Sequence, residues 1–179
     1  MMDMEKIVGS KLDFSDLSNE VVREFYGYIE DILENTEFNK LDNFYQHINT
    51  SRLQHSLNVA YYTYLVCRKW NWNVREATRA ALLHDFFLYD WREVELGFHP
   101  NEHPKQALVN AARYFEVTPL MRNMILSHMW PLSVAYPKYK ESWVVQGSDR
   151  LCACLEAMHG MKSKMRKTRL VTSIALFMK

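Results

Sequence analysis

Apolar residues recur every three or four positions along most of the 179-residue chain, and this spacing limits the possible folds more than any other property of the sequence. No run of β-branched residues alternates with polar residues in the manner of a half-buried strand. The chain contains only five glycines and five prolines, so it offers few turns. The sequence therefore predicts an all-α fold, a single-domain bundle of about seven to nine helices.

Seven segments have helical periodicity: residues 18–34, about 38–48, 50–70, 74–88, 104–115, 119–130 and about 141–158. A polar, aromatic loop from Tyr89 to Glu102 separates the fourth from the fifth. Pro104 and Pro119 are typical first residues of a helix, since proline has no backbone N–H to leave unpaired there. We expect one domain over residues 1–179, with three parts: an N-terminal helical buttress at 1–49, a core at 50–158 and a C-terminal helix at 159–179.

The overall charge and the apolar runs exclude several classes of partner. Twenty-two basic and twenty-one acidic residues leave a net charge of +1, which gives no reason to expect binding to nucleic acid or to a membrane surface. No apolar run approaches the ~20 residues of a membrane span, and the N-terminus lacks the apolar segment of a signal peptide. We therefore expect a cytoplasmic protein without a nucleic-acid or membrane partner, and the sequence leaves open whether it forms a homodimer.

Three cysteines are present, an odd number without the spacing of a zinc site or a disulfide framework: Cys67, Cys152 and Cys154. We expect buried, inert thiols in a reducing compartment. Cys152 and Cys154, two residues apart on a helix, should point to different faces.

Four histidines and two aspartates form an ordered series at helix starts, helix ends and loop edges: His55, His84, Asp85, His103, His128 and Asp149. Imidazole and carboxylate ligands together suit iron, manganese, zinc or cobalt better than calcium. An adjacent histidine and aspartate are costly to bury unless they are paired or bind a metal. The series therefore predicts a site for one or two divalent transition metals.

The remaining histidines are less suited to bind a metal. His47 and His159 lie outside the series, and we expect them to be ordinary hydrogen-bonded residues of the core or surface. His99 and His103 are both followed by proline, but only His103 directly opens an amphipathic helix. We therefore prefer His103 as the ligand.

The order His, His-Asp, His, His, Asp resembles that of the HD superfamily of metal-dependent phosphohydrolases, and the resemblance extends over roughly residues 50–158. Four local sequences carry it: Arg52-Leu53-Gln54-His55-Ser56, Ala81-Leu82-Leu83-His84-Asp85, His103-Pro104 and Gly147-Ser148-Asp149-Arg150. The resemblance implies an all-helical fold. It also implies one metal held by His55, His84, Asp85 and Asp149. In the binuclear subset, Asp85 would bridge to a second metal held by His103 and His128.

The chain departs from its relatives directly after the His-Asp pair. Many relatives have a lysine there that helps to hold a phosphate, whereas this chain continues Phe86-Phe87-Leu88-Tyr89-Asp90. Arg52 is the best replacement cation because it precedes His55 by one helical turn, although a surface salt bridge would explain it equally well. Other basic residues that could serve are Arg92, Lys105, Lys138 and Lys140.

Asp90, the aromatic residues around it and a basic stretch near the C-terminus are the remaining candidates for a functional role. Asp90 could act as a general acid or base beside Asp85, but a solvated loop carboxylate is the simpler interpretation. The aromatic run from Phe86 to Trp91 could stack on a nucleobase or could pack in the core. The basic stretch from Lys162 to Arg169 is expected to form a solvated helical face.

Three functions are consistent with this pattern. The first is hydrolysis of a phosphate monoester or diester, with a nucleotide or another small phosphorylated metabolite as the substrate, because a divalent metal activates water and polarises a phosphoryl oxygen. Among binuclear relatives, the dinucleoside polyphosphate hydrolases are similar in length and layout. The second is a diiron oxygenase of the same superfamily, and the third is a non-catalytic sensor of metal or nucleotide.

Overall fold

A computed structural model describes the following residues: 6–47, 50–90, 92 and 99–177. His47, His99 and residues 162–177 are described by their backbone alone. Within this part of the chain the protein has seven α-helices: α1 (Glu20–Leu33), α2 (Thr36–Asn39), α3 (Arg52–Lys69), α4 (Val74–Leu83), α5 (His99–Tyr114), α6 (Pro119–Ser127) and α7 (Lys140–Phe177). The predicted all-α architecture is confirmed.

A short hairpin leads into α3 and replaces the last part of the predicted helix around residues 38–48. After α2, a 3₁₀ turn (Lys40–Asn43) leads to strand β1 (Tyr45–His47), which pairs in antiparallel fashion with β2 (Thr50–Ser51). The chain becomes extended at Phe44, whose carbonyl accepts a hydrogen bond from the backbone N–H of Arg52 at 2.7 Å. The helical prediction was therefore wrong here, because the segment pairs with residues further along the chain rather than with itself.

Three other helix boundaries differ from the prediction. Helix α4 ends at Leu83 rather than near residue 88. Helix α5 begins at His99, so Pro104 lies inside this helix rather than at its first position. Helix α7 continues without interruption beyond the predicted end at Met158 and includes the basic stretch, whose side chains lie outside the described residues.

The core lies between α3 and α4, which pack against each other more extensively than any other pair of helices among the described residues. Helix α7 covers α3, and α6 covers α4. Helix α1 buries an apolar face on this pair, where Phe25 contacts the ring of Tyr61 edge-on at 5.5 Å between centroids. Arg79 of α4 binds the Asp31 carboxylate of α1 through two nitrogens. This arrangement places the starts and ends of several helices around one interior point.

Polar side chains cap two of these helices. Ser51 caps α3 by accepting a hydrogen bond from Gln54 N, and Thr118 caps α6, with Pro119 as its first residue. In the part of the chain that the structure describes, no helix combines the length and the apolar character needed to cross a membrane.

Candidate metal centre

Five helices bring the six predicted ligands together. His55 lies in the first turn of α3, His84 and Asp85 directly follow α4, and His103 lies in α5. His128 directly follows α6, and Asp149 lies in α7. Five of the six side chains are at most 3% exposed. The Asp149 side chain is 17% exposed, so the centre meets solvent on the side of α7.

One oxygen of Asp85 faces two histidines. Asp85 Oδ1 lies 3.4 Å from His103 Nε2 and 3.5 Å from His128 Nε2, and the two nitrogens lie 2.9 Å apart. Ligands bound at about 2.1 Å and separated by 90–109° at the metal would lie roughly 3.0–3.4 Å from one another. These three atoms therefore have the spacing of ligands to one transition metal.

The other oxygen of Asp85 faces a second set of ligands. Asp85 Oδ2 lies 3.5 Å from His84 Nε2, which lies 3.9 Å from Asp149 Oδ1. Asp149 Oδ1 is in turn 3.0 Å from His55 Nε2. Three overlapping groups could each hold a metal ion: His55, His84 and Asp85; His84, His128 and Asp149; and Asp85, His103 and His128. Asp85 thus joins two neighbouring groups of candidate ligands.

Backbone carbonyls fix the ring tautomers of two of these histidines. His84 Nδ1 lies 2.7 Å from the Ala81 carbonyl and His128 Nδ1 lies 2.8 Å from the Ile125 carbonyl. A carbonyl only accepts hydrogen bonds, so Nδ1 must carry the proton in both rings. In the neutral ring, Nε2 then presents its lone pair to the centre, which is the form that binds a metal.

Unpaired atoms at the centre also favour a cation. Asp85 Oδ1 and His84 Nε2 are both buried without a hydrogen-bond partner among the described residues. Buried acceptors without a donor are unfavourable unless a positive group lies beside them. A divalent metal with nitrogen and oxygen ligands would satisfy both atoms, so the residues present fit the implied metals.

The electrostatics of the centre keep its ligands in binding form. Burial would raise the pKa of Asp85, but the surrounding imidazoles, His84 first among them, hold it well below its ordinary value. Burial and the neighbouring His84 lower the pKa of His128, which favours its neutral ring. Burial would raise the pKa of Asp149, but the hydrogen bond with His55 and the neighbouring imidazoles together lower it. Both carboxylates are therefore ionised at neutral pH.

Both ring nitrogens of His55 face carboxylates. Burial acts to lower its pKa, but hydrogen bonds with Asp149 and Glu156 raise the pKa to about 10. A metal bound to Nε2 would take the place of the proton shared with Asp149. The contact between Nδ1 and Glu156 would remain.

Comparison with known proteins agrees with this geometry. The family model described as HD domain matches residues 52–167, a segment that contains all six candidate ligands. This chain belongs to the HD domain family. No match was found among curated proteins or among solved structures. The assignment therefore depends on the family model together with the metal-binding geometry of the HD domain.

Arg52 of the HD domain is fully buried, so the alternative of a surface salt bridge is wrong. Its guanidinium donates to the carbonyls of Phe87 at 2.6 Å and Tyr89 at 3.2 Å, and lies 3.5 Å above the Phe87 ring. Arg52 Nε also donates to Gln46 Oε1 at 3.0 Å, and Gln46 Nε2 donates to Asp85 Oδ2 at 2.6 Å. These contacts connect Arg52 to the metal centre through Gln46, and its contact with a phosphate stays a prediction.

The other predicted polar contributors lie on the surface. The Asp90 carboxylate accepts a hydrogen bond from the backbone N–H of Arg92 and lies beside the Arg92 guanidinium. The Asp90 side chain is 37% exposed. These contacts agree with a solvated loop carboxylate, and an acid or base role for Asp90 stays a prediction. Lys105 pairs with Glu102 at the surface, and Lys140 lies 4.5 Å from the Trp72 ring.

The aromatic run after the His-Asp pair belongs largely to the core of the HD domain. Phe86 and Phe87 are fully buried; Phe86 packs on Phe38, and Phe87 packs on the His103 ring at 5.2 Å. Phe86 and Phe87 are therefore not surfaces for a nucleobase. Trp91 lies outside the described residues.

His159 and the three cysteines are not among the described residues of the centre. His159 is exposed, and the side chains of His47 and His99 lie outside the described residues. Cys67 and Cys152 are buried as expected, and burial raises the pKa of Cys67 to about 12. Cys154 is exposed, because it faces the opposite side of α7 from Cys152.

Two described residues that bind candidate ligands were not predicted from the sequence: Gln46, which binds Asp85, and Glu156, which binds His55. Glu156 follows Asp149 by seven residues, so both lie on one face of α7, and this spacing could have indicated it. Gln46 has no such signal, since the hairpin that positions it was predicted as a helix.

Proposed function

We propose that this HD domain is a metal-dependent phosphohydrolase that hydrolyses a phosphate monoester or diester, with a nucleotide or another small phosphorylated metabolite as its substrate. The observation that carries the proposal is the position of Asp85, whose two oxygens face two different groups of metal ligands. A carboxylate in that position is suited to bridge two metals. His55, His84 and Asp149 would complete the first metal site, and His103 and His128 the second.

A pair of divalent metals at this centre would supply an activated water and polarise a phosphoryl oxygen. The protein contributes the orientation of the ligands. Carbonyls of Ala81 and Ile125 hold the His84 and His128 rings, and Gln46 holds Asp85. The candidate ligands are histidines and aspartates, and a metal-activated water needs no protein nucleophile, so hydrolysis by water is the simplest mechanism.

Burial of the centre determines which part of a substrate can reach it. Asp149 is the most exposed ligand, so we expect the phosphate to approach from the side of α7. Arg52 would support the site indirectly, because its hydrogen bond with Gln46 fixes the amide that donates to Asp85. A compact phosphate group fits such access better than a large polymer does.

The test combines metal analysis with a substrate panel. Protein purified without oxygen is analysed for iron, manganese, zinc and cobalt, and is then assayed under nitrogen against nucleotides and small phosphoesters with each metal. We expect close to two metals per chain and phosphate or nucleotide release. If no phosphoester is hydrolysed with any of the metals, the proposal is wrong. Activity that requires oxygen would instead indicate the oxygenase.

Asp85→Asn is the decisive variant, because it keeps the shape of the side chain but removes its charge. We expect hydrolysis to fall by more than ~100-fold, since even changes behind the metal ligands cost about 10–100-fold. Asp42→Asn, which alters an exposed aspartate of the 3₁₀ turn, is the matched control and should leave activity unchanged. Equal activity of Asp85→Asn and wild type would contradict the mechanism.

A further inference from the structure

Glu156 is a buried carboxylate that binds one of the metal ligands. It is 5% exposed, and both of its oxygens lie 3.1 Å from His55 Nδ1. Burying an ionised carboxylate is unfavourable by several kcal/mol, so packing alone does not explain a glutamate at this position. The position of Glu156 is explained if it serves the ring that it contacts.

We propose that Glu156 is a positioning residue for the metal centre: its carboxylate accepts a hydrogen bond from His55 Nδ1–H and so directs Nε2 of that ring toward the metal. The inference deepens the proposed function, on which it rests for the presence of the metal. His55 Nε2 already lies 3.0 Å from the candidate ligand Asp149. A carboxylate behind a histidine ligand fixes its tautomer and increases its basicity.

The orientation of the Glu156 carboxylate is itself fixed by α3. Asn58 Nδ2 donates to Glu156 Oε1 at 2.7 Å, and Asn58 follows His55 by three residues on the same helical face. Asn58 Oδ1 accepts hydrogen bonds from Gln54 Nε2 at 3.0 Å and from the backbone N–H of Val8 at 3.1 Å. Because both ends of the amide are bound, the side chain cannot rotate without breaking a hydrogen bond.

The N-terminal segment completes this network. The backbone of Val8 binds Asn58 through its N–H, and its carbonyl accepts a hydrogen bond from Tyr62 Oη at 2.7 Å. A chain of contacts therefore runs from Val8 through Asn58 and Glu156 to His55. The backbone of the N-terminal segment thus supports the ring of a candidate metal ligand through hydrogen bonds.

The inference is tested by the affinity of the whole protein for Mn²⁺, measured by calorimetry without substrate. For Glu156→Gln we expect binding about 10–100-fold weaker than in wild type. The matched control is Glu141→Gln, because Glu141 is also a buried glutamate of α7 but binds Asn73. Its affinity for Mn²⁺ should not change. Equal affinities of folded Glu156→Gln and wild type would overturn the positioning role.

A second measurement uses wild type alone and so does not depend on a variant that folds. In ¹⁵N-histidine spectra of the Zn²⁺-loaded protein, we expect His55 to carry its proton on Nδ1 and to bind zinc through Nε2. A His55 ring that binds through Nδ1 would overturn the inference. By contrast, a protein that binds metal in this way but hydrolyses no phosphoester would contradict the proposed function alone.

Discussion

Replacement of Arg52 by methionine tests how the interior supports the metal centre. Arg52 is fully buried and donates to Gln46, Phe87 and Tyr89, while its guanidinium stacks on the Phe87 ring. Burial lowers its pKa to about 10, so it remains charged at neutral pH. Methionine preserves much of the volume but removes the charge and every donor.

The expected loss of stability follows from these contacts. Three hydrogen bonds from a charged donor contribute about 1.5–3 kcal/mol each. Desolvation of the buried guanidinium opposes them by several kcal/mol, so the net loss should be roughly 2–4 kcal/mol. For a chain of this length, that corresponds to a decrease in Tm of roughly 5–15 °C. Gln46 would also lose one of its two anchors, so metal binding should weaken as well.

The assay is urea unfolding of metal-free protein, followed by Mn²⁺ titration of the folded variant. Arg23→Met, an exposed arginine of α1, is the control and should change the free energy of unfolding by less than about 0.5 kcal/mol. If the free energy of unfolding of Arg52→Met is less than about 1 kcal/mol below that of wild type, the hydrogen bonds of Arg52 only balance the cost of burying its charge. A net stabilisation of the fold by buried Arg52 would then be refuted.

Three other predictions concern the metals and the surface. His103→Ala should lower the metal content from two ions to one and reduce hydrolysis less than Asp85→Ala does. If elemental analysis and an activity assay show equal losses for the two variants, separate roles for His103 and Asp85 are contradicted. Chelation should lower the Tm of wild type, because metal at 100 times its Kd stabilises by about 2.7 kcal/mol, whereas Asp85→Asn should show no metal-dependent shift in calorimetry. The hydrogen bond with Arg79 lowers the pKa of Asp31 in the folded protein. The Asp31–Arg79 pair therefore stabilises the fold fully above the unfolded pKa of about 3.9, and this stabilisation is lost as the pH falls through the lower folded pKa. The difference in urea midpoint between wild type and Asp31→Asn should therefore shrink between pH 7 and pH 3, and a constant difference would argue against this pair.

Local signals predicted the helices and the six candidate ligands. Ser51 and Thr118 cap their helices as residues of their type do throughout proteins, because the relevant hydrogen bonds are made within one turn. The ordered histidines and aspartates indicated a metal centre without any distance being known. The structure brings all six together.

Boundaries that depend on contacts outside the helical repeat could not be predicted in this way. Helix α4 stops at Leu83, and directly after it His84 Nδ1 donates to the Ala81 carbonyl. The hairpin that carries Gln46 exists because residues 45–47 pair with residues 50–51. In both places a contact that is not part of the helical repeat overrides local propensity.

By itself, the sequence determined that this chain is a helical bundle and which side chains form the centre, because periodicity and residue chemistry are local properties. Only the tertiary structure decided that Arg52 lies in the interior, that Gln46 binds Asp85 and that Glu156 binds His55. The partners of Asp85 and His55 lie 39 and 101 residues away in the chain. Contacts over such separations are set by how the helices pack, and no local pattern encodes them.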